Sequence, residues 1–264
     1  MGVLSADMEY EGDIATIQRR LSSTSDLHRR RLAVLDAISV QPGERVLEVG
    51  CGGGTMLPML AAVVGKTGRV VGIDISADQI AAADALCAGT NFVEAAVHDV
   101  NQLPYGDGSF DAIIAIQVLE YLDQPSKALS ELRRVCSGGG RIVILATNWD
   151  TMFWHVGAPD LTARVQAAWR HHAPCPNLPA VLRPLLADAG FRMIRQSPVP
   201  VINNAYHEDT WAYWGARLIL AFAKGRNLIS STDADDWIGQ LVEAQAAGTF
   251  FFSSTAVLTM AVVG

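Results

Sequence analysis

Val46-Leu47-Glu48-Val49-Gly50-Cys51-Gly52-Gly53-Gly54 is the stretch on which the reading of this chain turns. Arg45 to Val49 has the composition of a short buried strand. It runs straight into a loop of near-consecutive glycines, and a helix is expected to start near Thr55. Glycine lets backbone approach a ligand closely, and a helix N-terminus adds unpaired N–H groups beside it. A dinucleotide-binding loop of this kind needs G-x-G-x-x-G, so that a pyrophosphate can sit against the helix. Here Thr55 occupies the place of the third glycine. Glu48, just ahead of the loop, would repel a pyrophosphate and attract a ligand carrying positive charge.

Downstream, apolar runs and helical patterns alternate. Arg69 to Ile75 is a β-branched run carrying Asp74 near its end, and Asp78 to Cys87 is an alanine-rich helix. Phe92 to Val97 is a third strand closed by His98-Asp99-Val100, and Ala112 to Gln117 a fourth. Ser126 to Cys136 is amphipathic, Gly138-Gly139-Gly140 ends it, and Arg141 to Thr147 is a fifth strand. This rhythm predicts an α/β fold, a mostly parallel Rossmann-like sheet with helices on both faces. Asp74 can accept hydrogen bonds from two ribose hydroxyls, and Asp99 or its backbone can read an exocyclic amine. With Glu48 they would share the carboxyl edge of the sheet, where open α/β folds bind ligands.

Beyond Asn148 the alternation is interrupted. Residues 149–176 form a first insertion with a helix from Leu161 to Trp169. A helix near Leu178 to Asp188 and a strand near Phe191 to Val201 follow, then a helical insertion over 203–247 and a last strand from Thr249 to Val263. The expected organisation is a single domain over 1–264: a helical N-terminal lid at 1–40, a ligand-binding core at 41–148, and two insertions that complete a lid. A helix beginning at Ser25 or Asp26 has an apolar stripe of Leu27, Val34, Leu35 and Ile38, with Arg31 in its middle. That arginine either snorkels or meets an anion.

Composition excludes several functions. Half of the 264 residues are hydrophobic and the net charge is −7, which permits a real core and disfavours a sequence-independent grip on phosphate backbones. Arg29-Arg30-Arg31 and Arg133-Arg134 are the basic clusters, each on a helical pattern where a solvated face is the ordinary reading. Cys51, Cys87, Cys136 and Cys175 show no paired spacing, as expected of reduced thiols in a cytoplasm. No apolar run suits a membrane span. His171-His172 with Cys175 lacks a fourth ligand at a metal-site spacing, so no metal is expected there, and its prolines suggest an exposed loop.

The runs VLEVGCGGG, VVGIDIS, HDVNQLPYGDGSFDAIIAIQVLEYL and ALSELRRVCSGGGRIVI, in that order, resemble the class I S-adenosylmethionine-dependent methyltransferases. More narrowly, they are similar to the small-molecule group that contains the ubiquinone and menaquinone C-methyltransferases (methyltransferase type 11). The resemblance covers about residues 40 to 148. It implies a seven-stranded sheet whose last strand is antiparallel, with S-adenosylmethionine as cofactor and S-adenosylhomocysteine as product. It also implies that Glu48 and the backbone of Gly50, Cys51 and Gly52 hold the methionyl part, that Asp74 takes the ribose, and that Ile75 packs on the adenine. Asp99 and Val100 would read the adenine edge, and Gln117 or the Ile116 carbonyl would face the methionyl amine and sulfonium. Arg31 becomes a candidate for the methionyl carboxylate. Where members often carry a histidine after the fourth strand, this chain has Tyr121, which would shape the acceptor pocket or simply pack.

Methyl transfer from a sulfonium needs alignment and exclusion of water, and a base only if the nucleophile arrives protonated. His155 and His207 are the candidate bases. Trp149 and Trp154, with Tyr10 of the N-terminal segment, are candidates for the acceptor pocket. The six tryptophans, all at 149 or beyond, would otherwise form the insertions' own core. The expected acceptor is a small, fairly apolar metabolite of the kind found in specialised metabolism, with no nucleic-acid or membrane partner and a monomeric or homodimeric chain. The alternatives are an RNA or protein methyltransferase and a cofactor-binding regulatory protein without turnover.

Overall fold

The computed structural model describes residues 12–264; the expectation for Tyr10 lies outside them. Seven strands form one sheet: β1 (Arg45–Val49), β2 (Arg69–Asp74), β3 (Val93–Val97), β4 (Phe110–Ile116), β5 (Cys136–His155), β6 (Phe191–Asn203) and β7 (Phe251–Val263). Their order is β3-β2-β1-β4-β5-β7-β6. Strands β1 to β5 pair in parallel and β7 is antiparallel, as the fold class requires. The central strands are mostly apolar because both faces are covered, with Glu48 the buried exception in β1. Val46, Leu47, Val70, Val71, Ala112, Ile113 and Ile114 are all fully buried.

Nine helices accompany the sheet among the described residues: α1 (Gly12–Ser22), α2 (Ser25–Ile38), α3 (Leu57–Val64), α4 (Ala77–Leu86), α5 (Pro125–Val135), α6 (Pro159–Trp169), α7 (Leu178–Asp188), α8 (Trp211–Gly225) and α9 (Ser231–Ala246). Their ends follow local chemistry. Proline opens α5 and α6 where its missing N–H costs nothing, and the Ser76 hydroxyl accepts the Gln79 N–H to cap α4. Helix α3 starts at Leu57, two residues later than the sequence suggests, because the glycine loop continues in turns to Met56.

The chain divides into two compact units. The first comprises the N-terminal residues to Arg30 with Asn148–Pro176 and Pro200–Ala256; the second comprises Arg31–Thr147, Asn177–Val199 and Val257–Gly264. The first unit is built on aromatic rings. Trp211 stacks on Phe252 at 4.9 Å, Trp154 lies 4.3 Å from Phe252, and Trp169 stacks on His172 at 3.7 Å. The Trp237 indole N–H donates to the Thr162 hydroxyl at 3.0 Å inside this core. The Asp26 carboxylate, 2% exposed, accepts from the Trp211 N–H at the start of α8 (2.7 Å) and from Asn203 (2.8 Å).

Three sequence expectations are corrected. Gly138-Gly139-Gly140 does not separate helix from strand: α5 stops at Val135 and the glycines already lie in β5. Nor does the fifth strand end at Thr147; it runs to His155. The tryptophans of Trp149 to Trp154 mask the alternation that carries it on. His172 is not in an exposed loop but has no exposed surface, held by its ring stack and by a 2.5 Å contact from Nδ1 to the Trp169 carbonyl. Burial drops its pKa to about 3, so it is a neutral core residue.

Candidate functional site

The carboxyl ends of β1, β2 and β4 and the loop after β3 bring together the residues singled out by the sequence. Parallel pairing sets Glu48 level with Gly72 of β2 and Ile114 of β4. The loop after β1 is fixed from its own backbone: the Cys51 N–H donates to the Ile73 carbonyl at 2.9 Å, and the Gly54 N–H to the Cys51 carbonyl at 3.0 Å. Two glycines show why the sequence is so restricted. A Cβ on Gly54 (φ +76°) would lie 2.7 Å from the Ala83 Cβ and 2.9 Å from its Cα, so that glycine lets α4 pack against the loop. Gly52 (φ +52°) is different: nothing lies within 4 Å of the position a Cβ would take, and the residue is needed for its left-handed backbone beside open space.

Asp74 closes the loop from the neighbouring strand. One carboxylate oxygen accepts the Gly52 N–H at 2.9 Å and the other accepts the Ser76 N–H at 3.0 Å. Ile75, next to it, is 76% exposed, an apolar side chain held out at the strand end. After β3, Asp99 accepts from the backbone and side chain of Asn101 at 2.8 and 2.9 Å, and Val100 is buried beneath.

Glu48 is the electrostatic centre. Its side chain is buried at 4% exposure, and its Oε2 has no hydrogen-bond partner. Burial pushes its pKa up to about 8; the Arg31 cation opposes that shift and the Asp74 anion adds to it. Arg31 is itself buried at 9% exposure, its pKa lowered by desolvation and supported by the charge of Glu48. Within the basic run at 29–31 only Arg29 stays on a solvated face, for Arg30 is buried too. Cys51, in the same loop, is kept a thiol by burial and by the charges of Glu48 and Asp74.

At the end of β4, Gln117 adopts φ +53°, a left-handed conformation rare for a residue with a side chain. Its amide donates to the Thr147 hydroxyl at 3.1 Å, and the Thr147 N–H donates to the buried Glu120 carboxylate at 3.3 Å. Sequence reading passed over Thr147 and Glu120. Glu120 in Leu119-Glu120-Tyr121-Leu122 was the available signal, a carboxylate enclosed by apolar residues just after a buried strand. Tyr121 is half-buried in the short 3-10 turn that follows.

The remaining candidates lie in the first unit. Trp149 and Trp154 are buried at 6% and 4% exposure among other rings, so they are core members with almost no surface to offer an acceptor. His155 is exposed at the end of β5. His207 is exposed as well, and its Nδ1 accepts the Asp209 N–H at 3.1 Å. That bond occupies the lone pair a general base would use.

Such a site, on such a sheet, defines the class I methyltransferase architecture. The family model described as methyltransferase domain matches residues 47–144. An uncharacterized 37.1 kDa protein in transposon TN4556 of Streptomyces fradiae is 31% identical over 92% of this chain and 69% of its own length. A demethylmenaquinone methyltransferase of Clavibacter sepedonicus is 38% identical over 43% of this chain, and that match spans about half (45%) of the relative. Among solved structures, a geranyl diphosphate methyltransferase in complex with S-adenosylmethionine shares the fold at 18% identity and a TM-score of 0.55, over 98% of this chain and 94% of that one. The chain belongs to the class I S-adenosylmethionine-dependent methyltransferases.

The residues fit that cofactor. The orphaned Glu48 oxygen is a buried acceptor in search of a cationic donor, and Gly52 in the loop that follows has open space where its Cβ would be. No helix among the described residues is long and apolar enough to cross a membrane.

Proposed function

We propose that this protein transfers the methyl group of S-adenosylmethionine to a small, fairly apolar metabolite. The observation that carries the reading is the buried Glu48 carboxyl with its unpartnered oxygen, set between the Arg31 cation and the Asp74 anion at the glycine loop. Glu48 would hold the methionyl ammonium and Arg31 the methionyl carboxylate. Asp74 would take the ribose and Ile75 the adenine face. Asp99 and Val100 would line the adenine edge, and the left-handed Gln117 would fix the backbone facing the methionyl end.

The cofactor supplies both an electrophilic methyl and a neutral leaving group. What remains for the chain is orientation and exclusion of water, which together can supply roughly 7–11 kcal/mol of the barrier. The buried walls of β1 and β4 and the pinned Gln117–Thr147 pair do the orienting on the cofactor side. This account needs no base when the nucleophile arrives deprotonated, and His207 Nδ1 is already engaged by the Asp209 N–H.

A small acceptor fits the net charge of −7, which disfavours RNA. It also agrees with the relatives' names, a quinone methyltransferase and a geranyl diphosphate methyltransferase. The test is a thermal shift with S-adenosylmethionine, followed by a methyl-transfer screen against metabolite, RNA and peptide pools. The reading expects a shift and label in the metabolite pool. No shift would overturn the site; label confined to RNA or peptide would overturn the acceptor class.

A further inference from the structure

We propose that the second unit carries a binding site for a small polyphosphate at the amino edge of its sheet, opposite the edge that bears the glycine loop. Three arginines from three elements line one cavity of about 450 Å³: Arg133 in the last turn of α5, Arg183 on α7 and Arg192 at the start of β6. That volume lies within the range of small-ligand sites. The place in the fold is fixed by the chain itself. Helix α5 ends where β5 begins, β6 begins just after Gly190, and the Gly264 N–H beyond β7 donates to the Gly190 carbonyl at 3.1 Å.

Charge is what distinguishes the cavity. No Asp or Glu side chain lines it. Elsewhere among the described residues, Arg29, Arg45, Arg69, Arg134, Arg141, Arg164 and Arg170 each hold a carboxylate. None of the described ion pairs uses Arg133, Arg183 or Arg192. In a chain of net charge −7, three guanidinium groups gathered without a counter-ion call for an anion from outside.

Arg133 is also held in place. Its Nε donates to the Gly190 carbonyl at 3.3 Å, and it lies over a turn that Gly190 makes at φ +88°. This directs one edge of the guanidinium inward and leaves both terminal nitrogens for a ligand. Guanidinium forks engage the oxygens of an oxyanion in pairs, which a single chloride cannot match, and linked phosphoryl groups carry enough oxygens and charge for all three arginines. A concave cavity with three cations suits two or three linked phosphoryl groups. A nucleic-acid strand would need a longer basic track, and a bilayer would need a flat or convex one.

Calorimetry on the full chain tests this directly, with inorganic pyrophosphate and tripolyphosphate as probes and orthophosphate as reference. The proposal expects saturable binding that strengthens from one to three phosphoryl groups and weakens with salt. The double substitution R183A/R192A should cut the affinity about tenfold or more, with R183K/R192K between it and the parent chain. Circular dichroism of both variants, in the absence of probe, checks that they are folded. Absence of saturable binding would overturn the proposal. So would binding that the double alanine variant leaves unchanged, or arginine-dependent binding to an RNA oligomer or to phosphatidic-acid vesicles when pyrophosphate does not bind.

Discussion

Arg31 and Glu48 show how much one pair of side chains settles. Each is buried, and each shifts the other toward its charged form. Replacing Arg31 by Ala should weaken S-adenosylmethionine binding by about 10- to 150-fold, the range for a lost hydrogen bond to a charged group. Calorimetry would measure it; an unchanged affinity would return Arg31 to a packing role. The two loop glycines separate crowding from backbone strain. Gly52→Ala meets no atom and should cost about 1–2 kcal/mol for the left-handed backbone alone. Gly54→Ala should cost about 1–3 kcal/mol more, because its Cβ runs into the backbone of Ala83. Denaturant titration of the two variants side by side decides this, and equal losses would count against it.

At the scale of elements, the most informative case is α8. Its first turn is anchored twice: the Thr210 hydroxyl accepts the Tyr213 N–H, and Asp26 from α2 accepts the Trp211 N–H. A carboxylate there also meets the positive end of the helix dipole. Asp26→Ala leaves two buried donors unpaired and should cost the first unit about 1–3 kcal/mol. The matching observation is faster hydrogen exchange at the Trp211 amide, with a smaller effect in Asp26→Asn. None of this was legible beforehand. The local pattern places Asp26 at the start of a helix, and nothing local announces a partner 185 residues away. The length of β5 is hidden for a related reason: the tryptophans at its end obscure the alternation that carries the strand to His155.

For the whole molecule, pH acts on the two units through different groups. In the second, Glu48 has a folded pKa near 8, above its usual 4.5. The folded state therefore holds a proton that the unfolded state has released. Stability from this group is complete below about pH 4.5 and is lost as pH rises toward 8. In the first unit His172 behaves oppositely, with a folded pKa near 3 against the usual 6.5. Its contribution is complete above pH 6.5 and is lost as pH falls toward 3. All six tryptophans lie in the first unit, so their fluorescence reports its melting. The fluorescence midpoint should fall between pH 6.5 and 3, and His172→Phe should flatten that slope. The decline above pH 4.5 should be flattened by Glu48→Gln, read by circular dichroism on cofactor-free protein. A slope that survives its own substitution would refute the assignment.

What the sequence determined by itself was the cofactor half of the protein. Alternating apolar runs, a glycine loop and acids at successive strand ends are local patterns, each written within about a dozen residues; the order of the strands within the sheet is not among them. Tertiary structure decided what depends on distant groups. It buried Arg30 and His172 where composition suggested solvent, gave Glu48 an orphaned oxygen, and placed Trp149 and Trp154 in a core. It also drew Arg133, Arg183 and Arg192 from three elements into one cavity. Burial and charge pairing are sums over neighbours in space, and a chain read in order does not contain them.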